Sequence, residues 1–169
     1  MGQEPKKKVK QGIETLDMGQ WLPSKSQRHA FDLKPFLFQG LLLREKDFRE
    51  SMKSYDWHAL NGKHVAVFCS SDAIIPMWAY MLVSAYLENA QAHVYFCHEK
   101  ELASKFLTEY IHQMDSASFA GKRLLIKGCG DEDVSPEVYM LITKKLAPVA
   151  RALSFGEACS TVPIWRQTA

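Results

Sequence analysis

The sequence predicts an α/β protein with three layers: one mostly parallel sheet of four to five strands, helices on both faces, and an N-terminal extension. From Lys63 onward, short runs rich in β-branched and aromatic residues alternate with longer helical stretches. The connections between those runs are long enough for crossovers, which favours parallel pairing. A chain of 169 residues is also long enough to bury a sizeable core.

The elements of this regular part follow from local patterns. The run His64 to Phe68 is apolar, as a buried strand is, and it stops at Cys69. The residues after Cys69 are of N-cap type, so we expect the positive end of a helix to face the cysteine. Ser135 followed by Pro136 is typical of another helix start. The predicted strands are 64–69, 93–97, 123–128 and 151–155, and the predicted helices are 74–89, 99–114 and 136–146.

The flanking segments are less regular. Ile13 to Asp17 alternates apolar and polar residues and predicts a short edge strand, and Leu41 to Tyr55 predicts an amphipathic helix. Residues 31–38 predict an extended piece followed by a helical turn, and residues 156–169 an irregular tail. We expect the last four strands to take the order 2-1-3-4, and the sequence indicates no internal repeat.

Composition narrows the functional classes. Residues 1–11 predict a disordered basic tail, and residues 12–169 a single α/β domain. A net charge of +2 argues against a nucleic-acid partner, and no apolar run is long enough to cross a membrane. Four cysteines without a C-x-x-C pair favour free thiols or a metal in the reducing cytoplasm.

The cysteines fall at the ends of predicted strands. In one parallel sheet Cys69 and Cys129 would flank the crevice where the chain departs in opposite directions, and Cys159 could fold back into it. Three thiolates with one oxygen ligand suit zinc or iron, including an iron–sulfur species. Asp72 is the nearest candidate for the fourth ligand or for a supporting acceptor, and Glu157 or water are alternatives.

Two other interpretations stay open. Cys69 at a helix N-terminus could be the nucleophile of a thiol-dependent enzyme, although only His98 comes near the same predicted edge as a general base. Alternatively the cysteines only pack in the core of a non-catalytic interaction module, because free cysteine is commonly buried. Trp165 on the predicted tail is a candidate homodimer contact.

Four segments together resemble the uncharacterised bacterial domain-of-unknown-function family twenty-four eighty. They are Phe38–Arg49 (FQGLLLREKDFR), Cys69–Ile74 (CSSDAI) with Pro76 and Trp78–Leu82 (WAYML), Lys127–Cys129 (KGC) and Gly156–Ile164 (GEACSTVPI). The resemblance implies no activity. It implies that Cys69, Cys129, Cys159 and Asp72 belong to the family pattern, whereas Cys97 lies outside it and is expected in the core. It also suggests an accessory role in handling metal or iron–sulfur centres, with metal-centre assembly partners.

Overall fold

The computed structural model describes residues 12–168 and has a mixed α/β architecture. The predicted α/β class with mostly parallel strands is confirmed. The strands are β1 (Ile13–Asp17), β2 (Arg28–Asp32), β3 (His64–Phe68), β4 (His93–Phe96), β5 (Arg123–Lys127), β6 (Ala152–Glu157) and β7 (Ser160–Arg166). The helices are α1 (Glu45–Ser54), α2 (Met77–Asn89), α3 (Leu102–Gln113) and α4 (Pro136–Leu146). Within residues 12–168, no helix has the length and apolar character needed to cross a membrane.

The strands form two sheets, so the predicted order 2-1-3-4 in a single sheet is wrong. One sheet has the order β1-β5-β6-β7, and the other has the order β2-β3-β4. The prediction placed β5 beside β3. Instead β1 pairs in parallel with β5, and β2 pairs in parallel with β3. Strands β3 and β5 therefore each lie beside a strand from the N-terminal part of the chain. Among the strands of residues 12–168, β7 alone runs antiparallel, on β6.

The chain divides into two compact units. The central unit is Leu22–Phe106, and the terminal unit combines residues 12–21 with residues 107–168. Each unit has its own sheet and a strand–helix–strand crossover, β3-α2-β4 or β5-α4-β6. The predicted disordered tail, 1–11, lies outside the described residues.

The core of the central unit surrounds α1 and α2. Phe48 and Met52 of α1 are completely buried, as are Ala79, Val83 and Leu87 on one face of α2. α2 begins at Met77, after Pro76, so the predicted capping of this helix just beyond Cys69 is wrong. Proline disfavours a helical conformation at the preceding residue, Ile75, so α2 does not extend back towards Cys69, and residues 69–75 form a loop.

In the terminal unit, the predicted start of the last helix is confirmed, whereas the predicted irregular tail is wrong. α4 begins at Pro136, with Ser135 at the N-cap position. The predicted irregular tail instead contains β7, which pairs with β6 from Ser160 to Arg166. A proline such as Pro163 argues against a strand when only the sequence is known. An edge strand tolerates proline, however, and the β6–β7 pairing is irregular at this point. Trp165, predicted on an exposed tail, is therefore a half-buried strand residue.

The two units repeat one another. Residues 56–96 align without gaps with residues 115–155, and under this alignment β3 coincides with β5, and α2 and α4 begin at the same position. The glycine before each first strand has a positive φ, 67° at Gly62 and 70° at Gly121. The identical pairs are Asp56/Asp115, Gly62/Gly121, Lys63/Lys122, Asp72/Asp131, Tyr80/Tyr139, Met81/Met140, Leu82/Leu141, Leu87/Leu146 and Phe96/Phe155.

The repeat extends to the preceding helix and to the neighbouring strand. Continuing the alignment backwards places Phe48 of α1 on Leu107 of α3, and both side chains are completely buried. β2 lies beside β3 with Asp32 opposite Phe68, and β1 lies beside β5 with Asp17 opposite Lys127, the position aligned with Phe68. The prediction of no internal repeat is therefore wrong. The repeat is hard to recognise in the sequence because the two units share buried positions and turns more than identical residues.

Candidate functional site

An ion-paired lysine joins three strand ends at the carboxyl edge of the terminal sheet. The Lys127 Nζ at the end of β5 lies 3.8 Å from the Asp17 Oδ2 at the end of β1, and 3.4 Å from the Glu157 Oε1 at the end of β6. These side chains are partly exposed, so the pairs add little to stability. Their significance is positional, since they mark three neighbouring strand ends, two of which lead into cysteine-bearing segments.

Cys129 lies two residues beyond Lys127 and is buried. Burial raises the pKa of the Cys129 thiol, a hydrogen bond with the Tyr139 hydroxyl opposes this, and the nearby Asp17 and Glu132 carboxylates raise it further. Burial also raises the pKa of Tyr139, and the charge of Cys129 adds to the shift. The raised pKa therefore favours the protonated thiol of Cys129, hydrogen-bonded to a phenol.

Cys159 lies two residues beyond Glu157, in the tight turn between β6 and β7, and is exposed. The turn depends on Gly156, whose φ is +121°. A Cβ atom at this position would lie 2.5 Å from the backbone oxygen of Ser160. Cys129 and Cys159 therefore follow the ends of adjacent parallel strands and leave the same edge of this sheet.

The matching edge of the central sheet is organised by Asp32. Its Oδ1 accepts hydrogen bonds from the backbone N–H groups of Ser70 (2.9 Å) and Lys34 (3.0 Å), and its Oδ2 accepts one from the Ser70 hydroxyl (2.5 Å). Burial acts to raise the pKa of Asp32, but the hydrogen bonds from Ser70 and Lys34 together lower it below its ordinary value of 3.8.

The change in the free energy of unfolding at acidic pH should depend on Asp32. Because its pKa is lower in the folded chain, Asp32 stabilises the fold above its unfolded pKa, and this contribution is lost as the pH falls through the folded pKa. Ser70→Ala removes the hydroxyl donor and brings the pKa of Asp32 in the folded chain closer to its unfolded value, so the variant should lose less stability on acidification than the wild type. Urea unfolding between neutral pH and about pH 3 measures this. Ser71→Ala is the matched control, because the Ser71 hydroxyl contacts the Cys69 thiol instead.

The remaining predicted residues of the central unit lie in or beside this loop. Cys69 directly follows β3, as predicted, and is half-buried with its Sγ 3.3 Å from the Ser71 Oγ. Asp72 is exposed. Burial raises the pKa of Tyr80 on α2, and the nearby Cys69 raises it further. His98 packs its ring against Phe68, with the ring centroids 5.0 Å apart.

Cys97 is buried, in agreement with the expectation of a core residue. Burial raises its pKa to about 11, with a smaller contribution from Glu101, while Lys105 opposes the shift. Cys97 therefore stays a protonated thiol at neutral pH.

The structure thus divides the predicted ligand set between the two units. Cys129 and Cys159 belong to the terminal unit, whereas Cys69 and Asp72 belong to the central unit. In the part of the chain that the structure describes, no three His, Cys, Asp or Glu side chains converge in a group that could hold a metal ion. The four cysteines are all free thiols.

The repeat relates the two edges position by position, and sequence reasoning missed the residues it shares. Asp17 and Asp32 are equivalent, and each accepts a hydrogen bond from the N–H two residues later. Tyr139 and Tyr80 are equivalent, and each neighbours a cysteine. Cys129 aligns with Ser70, the residue that hydrogen-bonds to Asp32. A common Tyr-Met-Leu in the two helices was the available signal for the repeat.

An apolar cleft of about 330 Å³ opens within the terminal unit beside Tyr139. Phe155 meets the Tyr139 ring edge to face, with 5.7 Å between centroids. Tyr139 therefore has the Cys129 thiol near its hydroxyl and the cleft against its ring. The cleft is lined by Ile126, Tyr139, Ile142, Thr143, Phe155 and Ile164.

Comparison with known proteins gives the family without an activity. No curated protein matches the chain. No solved structure matches it. A family model described as "Protein of unknown function (DUF2480)" matches residues 4–167, in agreement with the resemblance of the motifs. The chain therefore belongs to the DUF2480 family of proteins of unknown function.

Proposed function

We propose that the chain is a cytoplasmic metal-binding protein that holds zinc or iron through cysteine thiolates. The observation that carries the proposal is the placement of Cys129 and Cys159, each two residues beyond a member of the Lys127–Glu157 ion pair. Two thiols that leave one sheet edge beside carboxylates offer the donor types that zinc and ferrous iron take in proteins.

The donors differ in accessibility, which bears on the kind of metal protein. Cys159 is exposed, and Cys129 is buried against Tyr139. A metal would first meet the exposed thiol, and binding to Cys129 would then release its proton. Such a site suits an accessory that receives and passes on metal, including metal destined for iron–sulfur centres, and its partners would be metal-centre assembly proteins.

The contribution of Cys69 and Asp72 to metal binding is tested with separate variants, because these residues belong to the central unit. A thiol enzyme with Cys69 as the nucleophile stays a prediction. The groups beside Cys69 are the Ser71 hydroxyl and Tyr80, which are weaker bases than an imidazole.

Metal analysis of protein purified without air tests the proposal. The wild type should carry about one zinc or iron per chain, and Cys129→Ser or Cys159→Ser should lose most of it. Cys97→Ala is the matched control, since Cys97 is a buried thiol outside the proposed set, and it should keep its metal. Circular dichroism verifies that each variant is folded.

The outcomes separate the alternatives. Loss of metal in Cys69→Ser and Asp72→Asn as well would extend the ligand set to the central unit, and retention would confine it to the terminal unit. A wild type without stoichiometric metal would contradict the proposal, and so would unchanged metal in both Cys129→Ser and Cys159→Ser.

A further inference from the structure

The repeat gives the terminal sheet one strand that the central sheet lacks. β4 of the central unit is equivalent to β6 of the terminal unit, and β6 carries β7 as an antiparallel neighbour. After β4 the chain enters α3, and no described strand takes the place of β7. β4 is therefore the last strand of its sheet, and no described strand lies beside its outer edge, which is called the open edge below.

This edge is short, at four residues, but lacks the other features by which proteins protect edge strands. Charged side chains, proline and bulges on an edge strand discourage pairing with another chain. The other sheet-terminal strands have them: β1 contains Glu14, β2 contains Arg28, and β7 contains Pro163 beside an irregularity in the pairing. β4 reads His-Val-Tyr-Phe, without lysine, arginine, a carboxylate or a proline.

An apolar surface adjoins the open edge. Phe96 at the end of β4 is 73% exposed, whereas its equivalent Phe155, which pairs with Val162 of β7, is 38% exposed. The Phe96 ring meets the Tyr80 ring edge to face, with 5.3 Å between centroids. Met77 and Met81 share the helix face of Tyr80 and are 70% and 71% exposed.

The charge pattern of this surface suits contact with an identical copy. A two-fold contact brings residues near their own copies, so charged groups would meet like charges. α2 carries no charged side chain before Glu88, in its last turn. The first three turns of α2, which carry Met77, Tyr80 and Met81, therefore lack side chains that would repel their own copies.

We propose that the chain forms a two-fold dimer in which β4 pairs with β4 of a second copy. A two-fold axis makes a self-paired edge antiparallel, which is the orientation of β7 on β6. An axis perpendicular to the sheet keeps both copies of α2 on the same side, so Met77 and Met81 contact their counterparts. Phe96 then becomes covered, as Phe155 is covered in the terminal unit.

Sedimentation equilibrium on the full chain tests the dimer, and the repeat supplies the matched control. Met81→Glu should raise the dimer dissociation constant by on the order of 100-fold, because it places two like charges in the interface. Met140→Glu changes the equivalent residue of the terminal unit, which is 72% exposed, and should leave the dissociation constant unchanged. Phe96→Lys provides a second variant if Met81→Glu does not fold.

Each other outcome overturns the proposal. A wild type that is monomeric across the micromolar range would do so, as would a dimer that resists both Met81→Glu and Phe96→Lys. Dissociation by Met140→Glu alone would place the contact on the terminal unit. A monomer whose β4 instead binds an extended peptide from another protein would assign the edge to a different partner.

Discussion

Replacing Phe48 by alanine is expected to lower the free energy of unfolding by about 3–5 kcal/mol. Phe48 is completely buried in the central unit, where its ring meets those of Phe36 and Trp78 with centroid separations of 6.1 and 5.9 Å. The substitution removes the ring and leaves a cavity that its neighbours fill only in part. Most single domains have a total stability of about 5–15 kcal/mol, so much of the native population could be lost.

Urea unfolding followed by tryptophan fluorescence measures this change. Trp57 and Trp78 both lie in the central unit, so they report on the element that the substitution weakens. The control is Phe38→Ala, because Phe38 is 39% exposed and carries the Arg44 guanidinium over its ring. It should cost about 1 kcal/mol. Equal costs for the two variants would contradict the assignment of Phe48 to the core.

Replacing Gly156 by alanine is expected to lower the free energy of unfolding by about 2–4 kcal/mol and to loosen the β6–β7 turn. Two separate features oppose any side chain there. The φ of +121° is one that L-residues rarely adopt, and the added Cβ would lie 2.5 Å from the Ser160 oxygen. Because backbone atoms make this contact, a rotamer change cannot relieve it.

Gly121→Ala is the matched control for this prediction. Gly121 also has a positive φ of 70°, but an added Cβ would find no atom within 4 Å. It should cost about 1 kcal/mol, from backbone strain alone. If the two alanine variants were equally stable, the close approach at Ser160 would not exist in solution. Since the turn carries Cys159, Gly156→Ala should also weaken metal binding.

Local chemistry allowed several elements to be predicted from the sequence. Ser135–Pro136 located the start of α4 to the residue, and the alternation in Ile13–Asp17 identified an edge strand. The apolar run after His64 located β3, with Cys69 directly beyond it. Each of these depends on the conformational preferences of a few neighbouring residues, which the sequence displays directly.

The pairing of strands could not be predicted in the same way. A strand pattern shows which face is buried but does not identify the partner, and here β1 and β2 took the places beside β5 and β3. β7 was missed because Pro163 and the polar residues before it resemble a loop. The repeat was missed since its evidence is the shared burial of pairs such as Phe48 and Leu107, which differ in type.

For the candidate site, the sequence predicted where the cysteines lie along their strands better than it predicted which of them lie together. The cysteines were expected at the carboxyl ends of strands, and Cys69 and Cys129 do follow β3 and β5. Their assignment to one edge depended on the single sheet, and the structure gives each a different sheet. Tyr139 and Asp17, which neighbour Cys129, come from a helix and a strand remote in sequence, so only the fold reveals them.

X-ray absorption on the zinc-loaded chain is the most direct measurement of thiolate metal binding. Binding through Cys129 and Cys159 predicts sulfur atoms at about 2.3 Å from zinc, and these should disappear in the Cys129→Ser, Cys159→Ser double variant. A first shell of only nitrogen and oxygen atoms at about 2.0–2.1 Å would contradict it. A sulfur signal that is unchanged in the double variant would contradict it equally.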